Sequence, residues 1–157
     1  MTPAPALRIQ GTAHLTDALL FDALNLELAP GRWTCLLGPS GVGKSTILRL
    51  IAGLDTEASF TGEMVSDIGA DLSQSVAYMA QEDLLLPWAS IHDNIALGAR
   101  LRGQKPDKAR LDTLLNEVGL SSMATRKPHT LSGGQRQRAA LARTLMEDKP
   151  LVLLDEP

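Results

Sequence analysis

Gly38-Pro39-Ser40-Gly41-Val42-Gly43-Lys44-Ser45-Thr46 is the stretch on which the fold turns. It meets the pattern G-x-x-x-x-G-K-[S/T] at Gly38, Gly43, Lys44 and Ser45. Glycines let the backbone curl so that successive N–H groups point into one concavity, where they can hold phosphate oxygens. A helix starting here adds its positive end to the same place. Lys44 brings a point charge for the β- and γ-phosphates, and the Ser45 hydroxyl can ligate Mg²⁺. The pattern has force only between a strand and a helix. Trp33 to Leu37 is a short apolar run, read as a buried strand leading into the loop. Ser45 to Gly53 reads as a helix, with Ile47, Leu48, Leu50, Ile51 and Leu54 on its apolar side and Gly53 at its end. The expected ligand is a nucleoside triphosphate, taken to be ATP.

Upstream, Leu7-Arg8-Ile9 and the alternating Leu24-Asn25-Leu26-Glu27-Leu28 are strand candidates, and Pro30-Gly31 is a turn. Downstream, Thr61-Gly62-Glu63 reads as a turn leading to another strand, and Val76-Ala77-Tyr78-Met79 as a second buried strand ending at Gln81. The chain then changes character. Ser90 with Asp93 forms a helix-capping pair, predicting a helix to about Arg102 that Gly103 to Pro106 breaks. Leu111, Leu114, Leu115 and Val118 predict a second helix closed by Gly119. Leu131-Ser132-Gly133-Gly134 opens a third, running to about Met146. Leu151-Val152-Leu153-Leu154 is a further apolar strand. These boundaries divide the chain into a β-rich, phosphate-loop part (1–81), a helical insert (82–130) and a last part (131–157). The fold class expected is α/β, with a mainly parallel sheet, an N-terminal antiparallel β subdomain and an inserted helical subdomain.

Asp155 and Glu156 follow that last strand. Alone they read as an acidic turn. With a phosphate loop upstream, and if the strands are parallel neighbours, they lie at the sheet's carboxyl edge beside it. Asp155 would then hold Mg²⁺ through water, and Glu156 would orient and deprotonate an attacking water. Leu131-Ser132-Gly133-Gly134-Gln135-Arg136-Gln137-Arg138 is a second helix start with the properties of an anion site. One nucleotide does not easily need two such ends from one chain, but a dimer could share them. Otherwise the stretch is a flexible cap on a helix with a solvated arginine face.

These segments together resemble the ATP-binding subunit of an ABC transporter along nearly the whole chain. Gly38 to Thr46 resembles the Walker A motif, Gln81 the Q-loop, Leu131 to Gln135 the family signature, and Leu151 to Glu156 the Walker B motif. The resemblance implies the P-loop NTPase core and a head-to-tail dimer enclosing two ATP molecules. The phosphate loop, Gly38, Pro39, Ser40, Gly41, Val42, Gly43, Lys44, Ser45 and Thr46, would bind nucleotide. Ser132, Gly133, Gly134 and Gln135 would act in trans. Ser45, Gln81 and Asp155 would attend Mg²⁺; Glu156 and Gln81 would serve the hydrolytic step. Transmembrane permease subunits, and indirectly a solute-binding protein, are the implied partners, at the cytoplasmic face of the cell membrane. Gln81-Glu82-Asp83-Leu84-Leu85-Leu86-Pro87-Trp88 and Pro128-His129 resemble the nitrate/sulfonate/taurine importer branch, which includes transporters of thiamine-pyrimidine precursors. The aliphatic run ending in Pro87-Trp88 makes either a groove for a partner helix or, through Trp88, part of the insert's own core.

Two features depart from the family. An aromatic ring near residue 15 usually stacks on adenine; here Ala13-His14-Leu15-Thr16 offers His14 or Leu15, neither a clear substitute. The three histidines are His14, His92 and His129, so no switch histidine follows Glu156. The sequence therefore reads as a C-terminally truncated piece, expected to be poorly stable and nearly inactive in isolation because of its unpaired sheet edge.

Bulk properties agree with one domain. The 157 residues are 44% hydrophobic with a net charge of −3, which points to neither nucleic acid nor an anionic membrane surface. A lone Cys35 permits no internal disulfide. No run approaches the roughly 20 apolar residues needed to span a bilayer, and Met1-Thr2-Pro3-Ala4-Pro5 lacks the basic region and apolar stretch expected of a signal peptide. Two other functions fit the motifs: a soluble ABC-type ATPase acting on ribosomes or DNA, and a module in which ATP only joins two chains. Neither the doubled cassette nor the long coiled-coil insertion of the first is visible.

Overall fold

The computed structural model describes residues 5–16, 18–67 and 72–156. The chain forms two compact units, Met1–Val76 and Ala77–Pro157.

The first unit is built on a three-stranded antiparallel sheet. β1 (Leu7–Leu15) lies between β2 (Ala18–Leu28) and β3 (Ala58–Ser66). Leu7, Ile9 and Ala13 are buried while Arg8 and Gln10 are exposed, the period-two pattern of a sheet with one covered face. Register is marked by the pair Arg8↔Glu27, whose side chains form an exposed ion pair at 2.5 Å. Such a pair specifies alignment more than it stabilises.

β3 corrects one expectation. Thr61-Gly62-Glu63 is not a turn but the middle of this strand. Gly62 lies directly opposite Gly11. A Cβ on Gly11 would fall 2.8 Å from the Gly62 Cα and 2.7 Å from the Phe60 ring. Glycine here serves close approach, with an aromatic ring lying over the bare backbone, rather than a reversal of the chain.

A second expectation also fails. Trp33–Leu37 forms no strand; Trp33 is 88% and Leu37 91% exposed. An apolar run becomes a buried strand only with a hydrogen-bonded neighbour, and no ladder within the described residues includes this one. The helix after it does form: α1 (Lys44–Ile51) buries Ile47 and Ile51, one turn apart on one face, and ends at Gly53 with φ +66°.

In the second unit, β4 (Val76–Met79) and β5 (Leu151–Leu154) pair in a two-stranded sheet. Between them run α2 (Ile91–Ile95), α3 (Leu97–Leu101), α4 (Lys108–Glu117) and α5 (Gly133–Met146). The Ser90 Oγ accepts the Asp93 N–H at 3.0 Å, so the capping pair is as expected. The single helix predicted to Arg102 is instead divided at Ala96 into α2 and α3. Ile91, Ile95, Leu111, Leu114, Leu115 and Leu120 pack with Ala139, Ala142 and Met146 of α5. The insert thus shares its core with the helix that follows it.

Buried Asn94 organises the segment before α2. Its Oδ1 accepts the Leu86 N–H at 2.7 Å, and its Nδ2 donates to the carbonyls of Ser90 at 2.9 Å and Leu86 at 3.2 Å. This holds Leu86 to Ser90 as a fixed turn with Trp88 71% exposed, so Trp88 is not part of the insert's core. Among the described residues no helix is long and apolar enough to cross a membrane.

Candidate functional site

The phosphate loop curls through two left-handed glycines, Gly41 at φ +82° and Gly43 at φ +95°. Gly43 is also the N-cap of α1, and its carbonyl accepts the Ile47 N–H at 2.9 Å. A side chain there would meet Leu20 at 3.0 Å and Phe21 at 3.1 Å. Position 43 therefore tolerates only glycine, on both conformation and space. The Lys44 Nζ donates to the carbonyls of Gly38 and Pro39, 2.9 Å each. The ammonium is thus folded over the concavity, with a third proton remaining for an anion. Gly38, Pro39, Ser40, Gly41 and Val42 are exposed; Lys44, Ser45 and Thr46 are half-buried at the start of the helix.

A second cluster lies in the other unit, where β4 and β5 end together. The Asp155 N–H donates to the Met79 carbonyl at 3.0 Å, carrying the strand pairing one residue beyond β5. Asp155 is buried, and the Tyr78 hydroxyl donates to its Oδ2 at 3.0 Å. Glu156 is exposed, with a left-handed backbone at φ +48°. The Gln81 Nε2 donates to its Oε2 at 2.8 Å. Three of the residues singled out in the sequence, Gln81, Asp155 and Glu156, are therefore brought to one place.

At the start of α5, Ser132 and Gln135 form a reciprocal capping box. The Ser132 Oγ accepts the Gln135 N–H at 3.3 Å, and the Gln135 Oε1 accepts the Ser132 N–H at 2.8 Å. The hydroxyl acts only as acceptor in this box, which leaves its proton for another partner. The N–H groups of exposed Gly133 and Gly134 open the same helix end.

A family model described as ABC transporter matches residues 21–157. The chain belongs to the ABC transporter family. An uncharacterized ABC transporter ATP-binding protein of Haemophilus influenzae is 46% identical over 140 residues, covering 88% of this chain and 57% of that protein. The aliphatic sulfonates import ATP-binding protein SsuB 2 of Burkholderia lata is 46% identical over 159 residues, covering 99% of this chain and 56% of its own length. The chain spans about half the length of these curated relatives. Among solved structures, cbiO1 of Clostridium perfringens, part of the ABC transporter complex cbiONQ, superposes with a TM-score of 0.79 at 25% identity. That match covers 96% of this chain and 65% of the other. The fold is accordingly the α/β one of ABC ATP-binding domains, with an antiparallel N-terminal sheet.

Among the described residues no group of three or more His, Cys, Asp or Glu could hold a metal ion by itself. The buried Asp155 carboxylate offers a hard oxygen donor of the kind Mg²⁺ takes when phosphates and water complete its coordination.

Four side chains of this region have a role that their sequence motifs do not assign. Tyr78, the chain's single tyrosine, bonds Asp155. Asp83, Arg136 and Arg143 join the segment after Gln81 to α5. Tyr78 could have been noticed as a polar tip on a buried strand next to the acids. The arginines read only as a solvated helix face.

Proposed function

We propose that this chain is the ATP-binding and ATP-hydrolysing part of a subunit that powers import of a small solute by an ABC transporter. The observation that carries this reading is the 2.8 Å bond from the Gln81 amide to the Glu156 carboxylate. It couples the glutamine of one family motif to the acid of another.

The loop from Gly38 to Thr46 receives the triphosphate on its N–H groups, with Lys44 exchanging its bonds to the Gly38 and Pro39 carbonyls for phosphate oxygens. Ser45, Asp155 and Gln81 would hold Mg²⁺, which when bound neutralises charge on the β- and γ-phosphates. Tyr78 fixes the Asp155 carboxylate. Glu156 accepts a proton from the attacking water, and Gln81 aims both. The Ser132 hydroxyl and the N–H groups of Gly133 and Gly134 close on the γ-phosphate bound by a second subunit, head to tail, with Gln135 bracing the serine. Residues 82–130 pass the resulting motion to a permease at the cytoplasmic face of the membrane. Relatives named for aliphatic sulfonates make small organosulfonates the first solutes to test.

The test is isolation of the complete gene product from its own cells. Co-purification with a polytopic membrane protein, and ATP turnover that rises with a sulfonate and its binding protein, would support the reading. Turnover stimulated by ribosomes or DNA, without a membrane partner, would reject it.

A further inference from the structure

Helix α5 grips the segment that carries Gln81. The Gln137 Nε2 donates to the Gln81 carbonyl at 2.9 Å. The Arg136 Nε donates to the Asp83 Oδ2 at 2.8 Å. Arg143 donates twice to backbone, from Nη2 to the Asp83 carbonyl at 2.7 Å and from Nη1 to the Leu84 carbonyl at 2.8 Å. Arg136 and Arg143 stand at i and i+7, two turns apart on one face, which is why they reach the same strip of chain.

The gripped backbone is not at rest. Leu84 sits at φ +45°, a left-handed conformation that a γ-branched residue adopts only when its surroundings impose it. The Asp83 Oδ1 accepts the Leu85 N–H at 3.1 Å, so the turn is closed from within as well. Arg143 is half-buried, and its burial pulls its pKa below the ordinary arginine value while the Asp83 charge opposes the shift. A guanidinium stays protonated regardless. Its two donated bonds are charge-assisted, and together they hold the turn at two successive carbonyls.

We propose that Arg143 is a positioning residue for Gln81: by clamping the Asp83 and Leu84 carbonyls to α5, it holds the glutamine within bonding reach of Glu156. The inference rests on the hydrolytic reading of Glu156 and adds a residue that acts on Gln81 only through the backbone of residues 83 and 84. Because Ser132 caps the same helix, the clamp also makes the Gln81–Glu156 contact depend on where α5 sits.

The test is a double-substitution cycle in the complete gene product with its membrane partner, read by single-turnover ATP hydrolysis and by equilibrium binding of a fluorescent ATP analogue. Arg143→Ala is expected to lower the hydrolytic rate about 10- to 100-fold, the cost of slight misplacement of a reacting group. Affinity for the analogue should stay within about twofold, since independent sites respond separately. In a Gln81→Ala background the same substitution should cost less than about threefold, because the residue it positions is gone. Arg143→Lys should recover part of the rate, an ammonium being able to reach one of the two carbonyls. Equal losses in both backgrounds, a parallel loss of affinity, or an unchanged rate would overturn the proposal. Should Arg143→Ala fail to fold, Arg143→Lys and Gln137→Ala complete the cycle. Absence of ATP turnover by the unsubstituted protein would overturn the hydrolytic reading and this inference with it; wild-type turnover with additive losses overturns this inference alone.

Discussion

The Gln81 Nε2 donates to the Glu156 Oε2 at 2.8 Å across 75 positions of sequence. Neither residue is buried, and the backbone at Glu156 is left-handed. A solvent-exposed amide–carboxylate bond stabilises a fold by only about 0.5–1.5 kcal/mol. Its value lies in orientation: it fixes the direction in which a carboxylate oxygen points.

Lys44 tests the phosphate loop. Its ammonium already bonds two loop carbonyls, so removal deprives a bound triphosphate of its nearest positive charge. Lys44→Ala is expected to weaken ATP binding by about 1.5–3 kcal/mol, roughly 10- to 150-fold in Kd. Titration calorimetry with ATP checks this.

Ser132 separates a capping role from a ligand role. Ser132→Asp retains an acceptor for the Gln135 N–H and places favourable charge at a helix N-terminus. Stability should change by less than about 0.5 kcal/mol. The substitution removes the hydroxyl proton and sets a carboxylate against the partner-bound γ-phosphate, so ATP-dependent pairing of subunits should be lost. Sedimentation with and without ATP, beside a thermal melt, reads both effects.

Gly62 tests the register of the N-terminal sheet. Its added Cβ would lie 2.6 Å from the Gly11 Cα, against backbone that cannot step aside. Gly62→Ala is expected to destabilise the protein by about 1–3 kcal/mol, the usual cost of overpacking. Urea unfolding checks it; an unchanged midpoint would mean that β1 and β3 do not meet at this pair.

Asp93 predicts an acid-sensitive helix start. The Ser90 hydroxyl is the main cause holding its carboxyl down to about 2, with Arg100 at 2.6 Å and His92 adding to it and burial opposing. A folded-state pKa below the ordinary 3.8 means that the unfolded chain binds the proton more readily. The contribution is therefore complete above 3.8 and fades as pH falls towards about 2. The side chain is 38% exposed, so screening keeps the effect small and lowers it further in salt. Asp93→Asn should flatten the stability profile across that window and lower stability slightly at neutral pH, where the contribution is complete, as followed by unfolding at a series of pH values.

What is legible in the sequence follows a physical pattern. The phosphate loop, the Ser132 cap and the Ser90 cap are local devices: a few adjacent residues satisfy a helix end, so the sequence carries the whole mechanism. Glycine was ambiguous. The run Thr61-Gly62-Glu63 looks like a turn because glycine serves turns and close approaches alike, and only Gly11 opposite shows which. Trp33–Leu37 looks like a buried strand because it is apolar, but burial needs a neighbour and the local sequence does not contain one. The grip of Arg136, Gln137 and Arg143 on residues 81–84 was invisible for a related reason. Long polar side chains on a helix look alike whether they reach solvent or a carbonyl over 50 positions away.

The most direct measurement is ATP turnover and ATP affinity for the complete gene product and its Glu156→Gln variant, side by side. The amide keeps the shape of the carboxylate and cannot take a proton from water. Affinity is expected to be unchanged, with turnover lowered by about 10²- to 10⁴-fold, the usual share of a general base. Equal turnover in the two proteins would contradict the assignment of Glu156, and with it the meaning given to the Gln81 contact.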